Sequence, residues 1–340
     1  MTRTLRIATR GSALALAQTG MIAAELTRLT GVEVQISVVT TEGDVSRASL
    51  ASLGGTGVFA SALRAALMAG DCDLVVHSLK DLPTAPYPGL ALAAVPTRED
   101  PRDAFITRDG LTLDELPEGF RVGTGSPRRV AQLLSLRPDA TVVDIRGNVD
   151  TRLAKVSSGE LDAVVLAAAG LTRLARLDAV TEFFDLSIWP TAPGQGALAL
   201  EAREEDSISE LAFVEDDRTR LSVTAERAVL AGLEAGCSAP VGATATVTEG
   251  DHGAELTLTA VVYSAGGDEE LGSTRSTRLG GVGDVGGLAG LEGLGALGES
   301  GRETLGSARA RELAEGLGRE LAAQLLDDGA ADLAEVGGRS

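Results

Sequence analysis

The chain has 340 residues and a formal net charge of −19, with 49 acidic side chains against 30 basic ones. This length exceeds what one hydrophobic core usually serves, so we expect two or three domains. The acidic balance and the 3% aromatic content argue against a nucleic-acid partner, because phosphate binding needs basic faces and stacking platforms. There is no apolar run long enough to span a bilayer and no signal-peptide core at the N-terminus, so we expect a soluble cytoplasmic protein without a membrane partner.

The basic residues are almost all arginine, since Lys80 and Lys155 are the only lysines. Together with the acid excess, this composition is typical of proteins from salt-loving organisms, whose acidic surfaces stay hydrated at high salt, and it predicts a halophilic archaeon as the source. A GC-rich genome would also favour arginine over lysine. Neither Cys72 nor Cys237 has the neighbours of a metal site, and two cysteines are too few for a disulfide framework, so we expect no metal.

Strand-like and helix-like segments alternate along the first two thirds of the chain. Strands are predicted at 5–9, 32–40, 74–76, 104–107, 121–123, 142–145 and 163–167, with helices at 13–30 and 59–69 and further helices between the later strands. The βα alternation occurs twice and predicts two parallel-rich α/β domains.

Two proline-containing segments, 95–101 and 188–196, are candidate hinges between these domains. Two crossings between the same domains suit a clamshell that closes on a ligand, like that of the periplasmic binding proteins. We therefore assign 1–97 and 195–217 to domain 1, and 98–194 to domain 2.

The remaining residues, 218–340, predict a smaller α+β domain. A helix is expected at 221–235, alternating strands at segments such as 255–262, and a final helix at 308–326. Between them, 279–301 is so rich in glycine that ordering it would cost too much entropy, which predicts a flexible surface insertion.

One loop carries both a rare lysine and a carboxylate. Lys80 and Asp81 follow the apolar run 73–76, and Pro83 and Pro86 stop the strand from continuing. Ligands of open α/β sheets bind at this strand-exit edge, which favours a functional role. An ordinary surface ion pair is the alternative.

A second loop, 123–129, follows a strand and opens a helix, with Ser126 as N-cap and Pro127 at the first helical position. Free N–H groups, hydroxyls and the guanidiniums of Arg128 and Arg129 make this an anion site. Its spacing fits neither a Walker loop nor a dinucleotide fingerprint, and a helix start with exposed arginines is the alternative.

Two further strand-exit loops are cationic: 144–152, with Arg146 and Arg152, and 8–12, with Arg10. Each guanidinium could pair with a carboxylate, contributing about 1.5–3 kcal/mol in a dry site. Several carboxylates on one ligand would explain so many arginines at strand ends.

Cys237 lies on a tight loop, 235–242, between glycines and a proline. An accessible thiol there could be a nucleophile, an attachment point or merely structural, whereas Cys72 precedes a buried strand and is expected to be inert.

Taken in order, these motifs resemble those of the porphobilinogen deaminase (hydroxymethylbilane synthase) family, over nearly the whole chain apart from the glycine-rich segment. The matching sequences are ATRGSALAL at 8–16, VHSLKDLP at 76–83, GTGSPRR at 123–129, IRGNVDTR at 145–152, PGQG at 193–196 and Gly-Cys at 236–237.

The resemblance implies a monomeric transferase that joins four porphobilinogen molecules head to tail, with loss of ammonia, to give hydroxymethylbilane. It implies a dipyrromethane cofactor attached through a thioether to Cys237, and Asp81 as the catalytic carboxylate. The implied cofactor-binding residues are Lys80, Thr124, Ser126, Arg128, Arg129 and Arg146, and the implied substrate-binding residues are Arg10, Ser12, Phe59, Arg152, Arg173 and Gln195. Within loop 53–62, Thr56 and Ser61-Ala62 replace the lysine and Lys-Glu of many relatives, which alters how that lid contacts the site.

This implied chemistry agrees with the residues. Loss of ammonia leaves an electron-poor methylenepyrrolenine cation, which a fixed carboxylate such as Asp81 can stabilise while it transfers protons. Lys80 would lower the pKa of Asp81 and keep it ionised.

Two other functions fit parts of the pattern. A two-domain solute-binding or regulatory protein for a small polycarboxylate would share the clamshell, because fold does not fix function. A cysteine-nucleophile transferase would need a histidine beside Cys237, and neither His77 nor His252 is well motivated for that role.

Overall fold

The computed structural model describes residues 4–40, 57–236, 239–250, 253–279 and 305–334, with the backbone alone for 57–59. Of the predicted features, Thr56, Cys237, His252 and nearly all of the glycine-rich segment lie outside these ranges. Within them, there is no helix both long and apolar enough to cross a membrane.

The first sheet has five strands in the order β2-β1-β3-β10-β4. They are β1 (Thr4–Arg10), β2 (Glu33–Val39), β3 (Leu74–Ser78), β4 (Leu90–Ala94) and β10 (Leu198–Arg203). β1 is parallel to β2 and β3, whereas β10 is antiparallel to β3 and β4. Two helices, α1 (Ala13–Thr30) and α2 (Gly57–Met68), contact this sheet.

The second sheet repeats this arrangement, in the order β7-β6-β8-β5-β9. Its strands are β5 (Asp103–Thr107), β6 (Arg121–Gly123), β7 (Thr141–Val143), β8 (Ala163–Ala167) and β9 (Glu182–Phe183). The associated helices are α3 (Pro127–Leu136), α4 (Val149–Ser157) and α5 (Ala168–Arg173). Here β5 is the antiparallel strand, between β8 and β9.

In each sheet the antiparallel strand is the first strand after the chain crosses from the other sheet. β5 follows β4 through residues 95–102, and β10 follows β9 through residues 184–197. Both crossings contain the proline segments identified in the sequence. The predicted α/β fold class is confirmed, and the exact domain boundaries stay a proposal.

The C-terminal part is a three-stranded antiparallel sheet with helices on it. Its elements are α6 (Asp217–Gly232), β11 (Val241–Gly250), β12 (Gly253–Tyr263), β13 (Glu270–Arg278), α7 (Ala308–Asp327) and α8 (Ala330–Leu333). α6 packs closely on α7, because Gly318 has no side chain: a Cβ there would lie 2.3 Å from the Ala225 carbonyl oxygen. Leu221, Val229 and Leu321 are fully buried in this core.

Two predicted boundaries are wrong for local reasons. The strand expected at 142–145 ends at Val143, which pairs with Gly123, the last residue of its partner β6, and accepts a hydrogen bond from Thr124 N at 3.0 Å. The helix expected from 221 begins at Asp217 instead, since the Asp216 side chain accepts a hydrogen bond from Thr219 N (2.8 Å) and caps it.

Candidate active site

The loop that carries Asp81 is built directly on the end of β3. β3 lies between β1 and β10, and a single 3-10 turn, Leu79–Asp81, follows it. Leu79 is fully buried and its N–H donates to Ala197 O at 3.0 Å, which anchors the turn to the second crossing. The neighbouring Lys80 and Asp81 side chains are half-buried at the sheet edge.

Asp81 lines a cavity of about 80 Å³ at the carboxyl ends of β1 and β3. Arg10 and Ser12, from the loop after β1, line the same cavity, as do Gln18 and His77. Ser12 also caps α1 by accepting from Ala15 N at 3.3 Å. The structure thus brings a carboxylate, a guanidinium and a hydroxyl from two separate motifs to one pocket.

Lys80 reaches across to the second crossing. Its Nζ lies 3.2 Å from Gln195 Oε1, and the same oxygen lies 3.4 Å from Arg129 Nη2. Gln195 is fully buried and donates through Nε2 to Asp103 Oδ1 at 2.8 Å. Burial, together with the nearby Arg129 charge, lowers the pKa of Lys80 to about 8. Gln195 therefore connects the Asp81 loop of the first sheet to the arginine loop of the second.

Asp103, at the start of β5, is the buried partner of the 123–129 loop. It accepts from Arg128 Nη2 at 2.9 Å, Arg129 Nη2 at 2.6 Å and Trp189 Nε1 at 2.8 Å. Burial would raise the pKa of Asp103, but the Arg129 and Arg128 charges hold it well below its usual range. The sequence analysis did not identify Asp103. The one indication of its role in the sequence is its place directly after the first crossing.

Arg146 and Arg152 are placed differently. Arg152 Nε donates to Gly147 O at 2.9 Å, and Arg146 Nε lies 3.8 Å from Asp144 Oδ2, a long contact between half-exposed groups. Burial lowers the pKa of Arg152, and the adjacent Arg129 and Arg146 lower it further. Three guanidiniums therefore lie close enough to repel one another at the start of α4.

The remaining predicted residues of the second sheet surround this charge. Arg173, at the end of α5, donates through Nη2 to Gly196 O at 2.7 Å, and burial lowers its pKa. Thr124 is buried and its Oγ1 accepts from Ser126 N at 3.2 Å. Ser126 occupies the N-cap position of α3, with Pro127 after it, but its hydroxyl makes no capping bond to the helix.

Several buried donors at this site have no acceptor among the described residues. They are Arg128 Nε, Arg129 Nε and Arg173 Nε. Buried N–H groups without partners are costly, by about 1–3 kcal/mol each. A ligand with several carboxylates would satisfy these donors and neutralise the crowded guanidiniums, so the residues present fit a polyanionic cofactor or substrate.

A second buried ion cluster, which the sequence analysis missed, lies behind the cavity. Glu201, on β10, accepts from Arg64 at 2.9 and 2.7 Å, and His77 Nε2 lies 3.0 Å from Glu201 Oε2. Burial would raise the pKa of Glu201, but His77 and Arg64 lower it to about 2. His77 is buried beside Glu201 on the inner side of the cavity, although its Nε2 makes no hydrogen bond within the described residues.

Fold and site together define a two-sheet α/β protein with one carboxylate loop and several cationic loops at the ends of its strands. Family models agree. "Porphobilinogen deaminase, dipyromethane cofactor binding domain" matches residues 5–210, and "Porphobilinogen deaminase, C-terminal domain" matches residues 220–284. The chain belongs to the porphobilinogen deaminase family.

Curated relatives extend over nearly the whole chain. The porphobilinogen deaminase of Leifsonia xyli subsp. xyli is 55% identical over 98% of this chain and 95% of that protein. That of Cutibacterium acnes is 49% identical over 98% and 97%, respectively. Among solved structures, the methionine binding protein MetQ aligns with 11% identity and a TM-score of 0.41 over 62% of this chain and 88% of that one, too weak a likeness to support an argument.

These comparisons confirm the predicted transferase class and the dipyrromethane cofactor. They do not support a halophilic archaeon as the source, because the relatives come from actinobacteria. The composition is a poor guide to the source because a GC-rich genome also raises the arginine-to-lysine ratio, without any selection for high salt.

Proposed function

We propose that this chain joins four porphobilinogen molecules head to tail, releasing ammonia at each step, and that Asp81 performs the chemistry while the arginines hold the acids. This assignment of roles rests on where the carboxylate and the guanidiniums lie. Asp81 lies at the edge of the first sheet, whereas the guanidiniums with unpartnered donors come from the second. Each porphobilinogen brings an acetate and a propionate, which match that excess of cations.

The cofactor-binding group in this proposal is Lys80, Thr124, Ser126, Arg128, Arg129 and Arg146, with Cys237 as the attachment point. When bound, the dipyrromethane supplies the pyrrole carbon to which the first substrate is joined. The Nη atoms of Arg128 already donate to Asp103, Gln132 and Pro190 O. In this proposal Arg128 therefore binds the cofactor through Nε, which has no partner among the described residues.

The substrate-binding group is Arg10, Ser12, Phe59, Arg152, Arg173 and Gln195. Arg10 and Ser12 line the cavity beside Asp81, so an acid held there would place the adjoining pyrrole ring near the carboxylate. Gln195 is buried and fully engaged by its neighbours, which supports a role in aligning Lys80 and Arg129 more than direct contact with substrate.

Asp81 acts where charge develops. When the aminomethyl carbon–nitrogen bond of the substrate breaks, ammonia leaves and a positive charge spreads over the pyrrole ring. A fixed carboxylate in a cleft with little water stabilises that charge and accepts the proton that is lost when the new carbon–carbon bond forms. Removing such a group typically costs about 100-fold or more in rate.

The proposal is tested by measuring the modification of the Cys237 thiol and the release of ammonia from porphobilinogen. Purified protein should give a pyrrole colour with Ehrlich reagent after denaturation, and an intact mass higher by two pyrrole units. Cys237→Ser should lose the colour, the extra mass and the release of ammonia from porphobilinogen. Cys72→Ser is the matched control, because this thiol is fully buried and burial raises its pKa.

Unmodified protein that turns over porphobilinogen would contradict the proposal. A solute-binding protein would retain porphobilinogen and release no ammonia, and a cysteine-nucleophile transferase would show no pyrrole colour. The same experiment therefore separates all three functions.

We also propose a cytoplasmic monomer without nucleic-acid or membrane partners, supported by the net charge of −19. Light scattering should give a mass near 34.7 kDa, and a doubled value would contradict the monomer.

A further inference from the structure

Helix α6 is joined to both crossings between the sheets through Glu226, which is fully buried. Its carboxylate accepts from Arg98 at 2.7 and 3.0 Å on the first crossing, and from Gly194 N at 2.7 Å on the second. It also accepts from Ala245 N at 2.9 Å, on β11. The helix is therefore fixed to both crossings at once.

The next residue on the same helix, Arg227, contacts the loop that carries Asp81. Its Nη1 donates to Leu82 O at 2.9 Å and, more weakly, to Leu79 O at 3.4 Å, while Nη2 donates to Pro83 O at 2.7 Å. These three carbonyls flank Asp81 on both sides.

The loop needs such a donor. A three-residue 3-10 turn has little internal hydrogen bonding, here Leu82 N to Leu79 O at 3.1 Å, and Pro83 has no N–H to contribute. A guanidinium presents five donors in a rigid plane and can bridge several carbonyls at once. Arg227 thus supplies from another part of the fold what the turn cannot supply for itself.

We propose that Arg227 is a positioning residue for the reaction: it holds the Asp81 loop at a fixed place relative to α6, the helix that leads to the loop of Cys237. Only four residues lie between the end of α6 at Gly232 and Cys237 in the sequence. Arg227 thereby connects the carboxylate loop to the helix that precedes Cys237 in the sequence. This inference rests on the proposed function of Asp81.

Arg137 offers a matched control elsewhere in the molecule. Its guanidinium also bridges loop carbonyls, donating to Leu113 O at 2.5 Å and Leu116 O at 3.0 Å, but this loop belongs to the second sheet and carries none of the proposed site residues. Loss of Arg137 removes these bonds and also its hydrogen bonds to Asp139 at 2.8 and 2.7 Å, so a purely structural role predicts at least as large an effect for Arg137 as for Arg227.

The experiment compares full-length Arg227→Gln and Arg137→Gln, with kcat expressed per cofactor-loaded molecule by intact mass. We expect kcat to fall at least about tenfold in Arg227→Gln alone, with KM changed less than about twofold, because a displacement near 1 Å can cost up to about 100-fold while the arginines still hold the substrate. Arg227→Lys should recover part of the loss, and amide hydrogen exchange at residues 80–82 should accelerate only in the Arg227 variants.

Equal kcat in the two glutamine variants, or unchanged exchange at residues 80–82, would overturn the inference. If Arg227→Gln does not fold, the same two measurements on Arg227→Lys decide. Asp81→Asn separates this inference from the function on which it rests. If Asp81→Asn keeps its turnover, the proposed catalytic role of Asp81 is wrong. If Asp81→Asn loses turnover while Arg227→Gln matches the control, only the proposed role of Arg227 is wrong.

Discussion

The two pairs of arginines on the second sheet look alike in the sequence and differ in the structure. Arg128 and Arg129 direct their guanidiniums at Asp103, with only 3% and 7% of their side chains exposed. Arg152 bonds a backbone carbonyl, and Arg146 makes a contact of 3.8 Å with an exposed carboxylate. The first pair shares one buried carboxylate inside the protein, whereas the second has no buried carboxylate partner.

This difference shows that an arginine can bind an anionic ligand fully only where no carboxylate of the protein already pairs with it. Asp103 also accepts from Trp189 and Gln195, which lie on the second crossing, so its ion cluster ties β5 to the chain segment that returns to the first sheet. Arg128 and Arg129 therefore stabilise the crossings through their Nη groups and keep Nε for a ligand. Arg146 and Arg152 have no buried carboxylate partner and keep most of their donors for a ligand. The following predictions separate these two roles.

The largest effect is expected at Asp103. Asp103→Asn leaves two buried guanidiniums without a counter-charge, which should lower the free energy of unfolding by about 3–5 kcal/mol. Urea denaturation measures this loss. The exposed Asp144→Asn is the control and should change stability by less than about 0.5 kcal/mol. Similar stabilities for the two variants would show that the Asp103 cluster does not hold the crossings.

A smaller and different effect is expected at Arg152. Arg152→Gln should leave the unfolding free energy within about 1 kcal/mol. Its KM for porphobilinogen should rise by about tenfold or more, because a hydrogen bond between charged groups contributes about 1.5–3 kcal/mol. Arg121→Gln, an exposed arginine on the same sheet, serves as the control in steady-state kinetics. An unchanged KM would remove Arg152 from the binding group.

A third effect concerns the pH dependence of stability. Burial and Arg129 lower the pKa of Lys80 from 10.5 to about 8. Below pH 8 the folded protein carries the full cost of this buried charge. Between pH 8 and 10.5 the unfolded chain keeps a proton that the folded protein has lost, so stability should rise with pH.

Urea denaturation of Cys237→Ser protein, which has no cofactor acids near Lys80, should show that rise between pH 8 and 10. Adding Lys80→Met should abolish it. A rise of equal size with methionine present would assign the effect to other groups.

The parts of the site that could be predicted from the sequence are those set by neighbouring residues. An apolar strand, an exit loop and a helix start are local features, so the loops of Arg10, Asp81, Ser126 and Arg152 were all assigned to sheet edges from the sequence alone. The α/β alternation is local in the same way, and it led to the correct fold class.

The parts that could not be predicted depend on contacts between distant segments. Strand β10 was missed because it pairs with β3 and β4, more than a hundred residues earlier, and the run 198–203 carries no strand signal of its own. Without β10, neither the Arg64–His77–Glu201 cluster nor its position behind the cavity could be foreseen. Asp103 was missed for the same reason: its partners come from two other loops.

The central claim is that Asp81 acts on the reaction while the arginines hold the substrate, and single-turnover kinetics test it most directly. An excess of cofactor-loaded wild-type or Asp81→Asn protein would be mixed with a limiting amount of porphobilinogen and the release of ammonia followed in time. The account predicts that Asp81→Asn binds substrate with nearly unchanged affinity but releases ammonia at least about 100-fold more slowly. Release at the wild-type rate would contradict it.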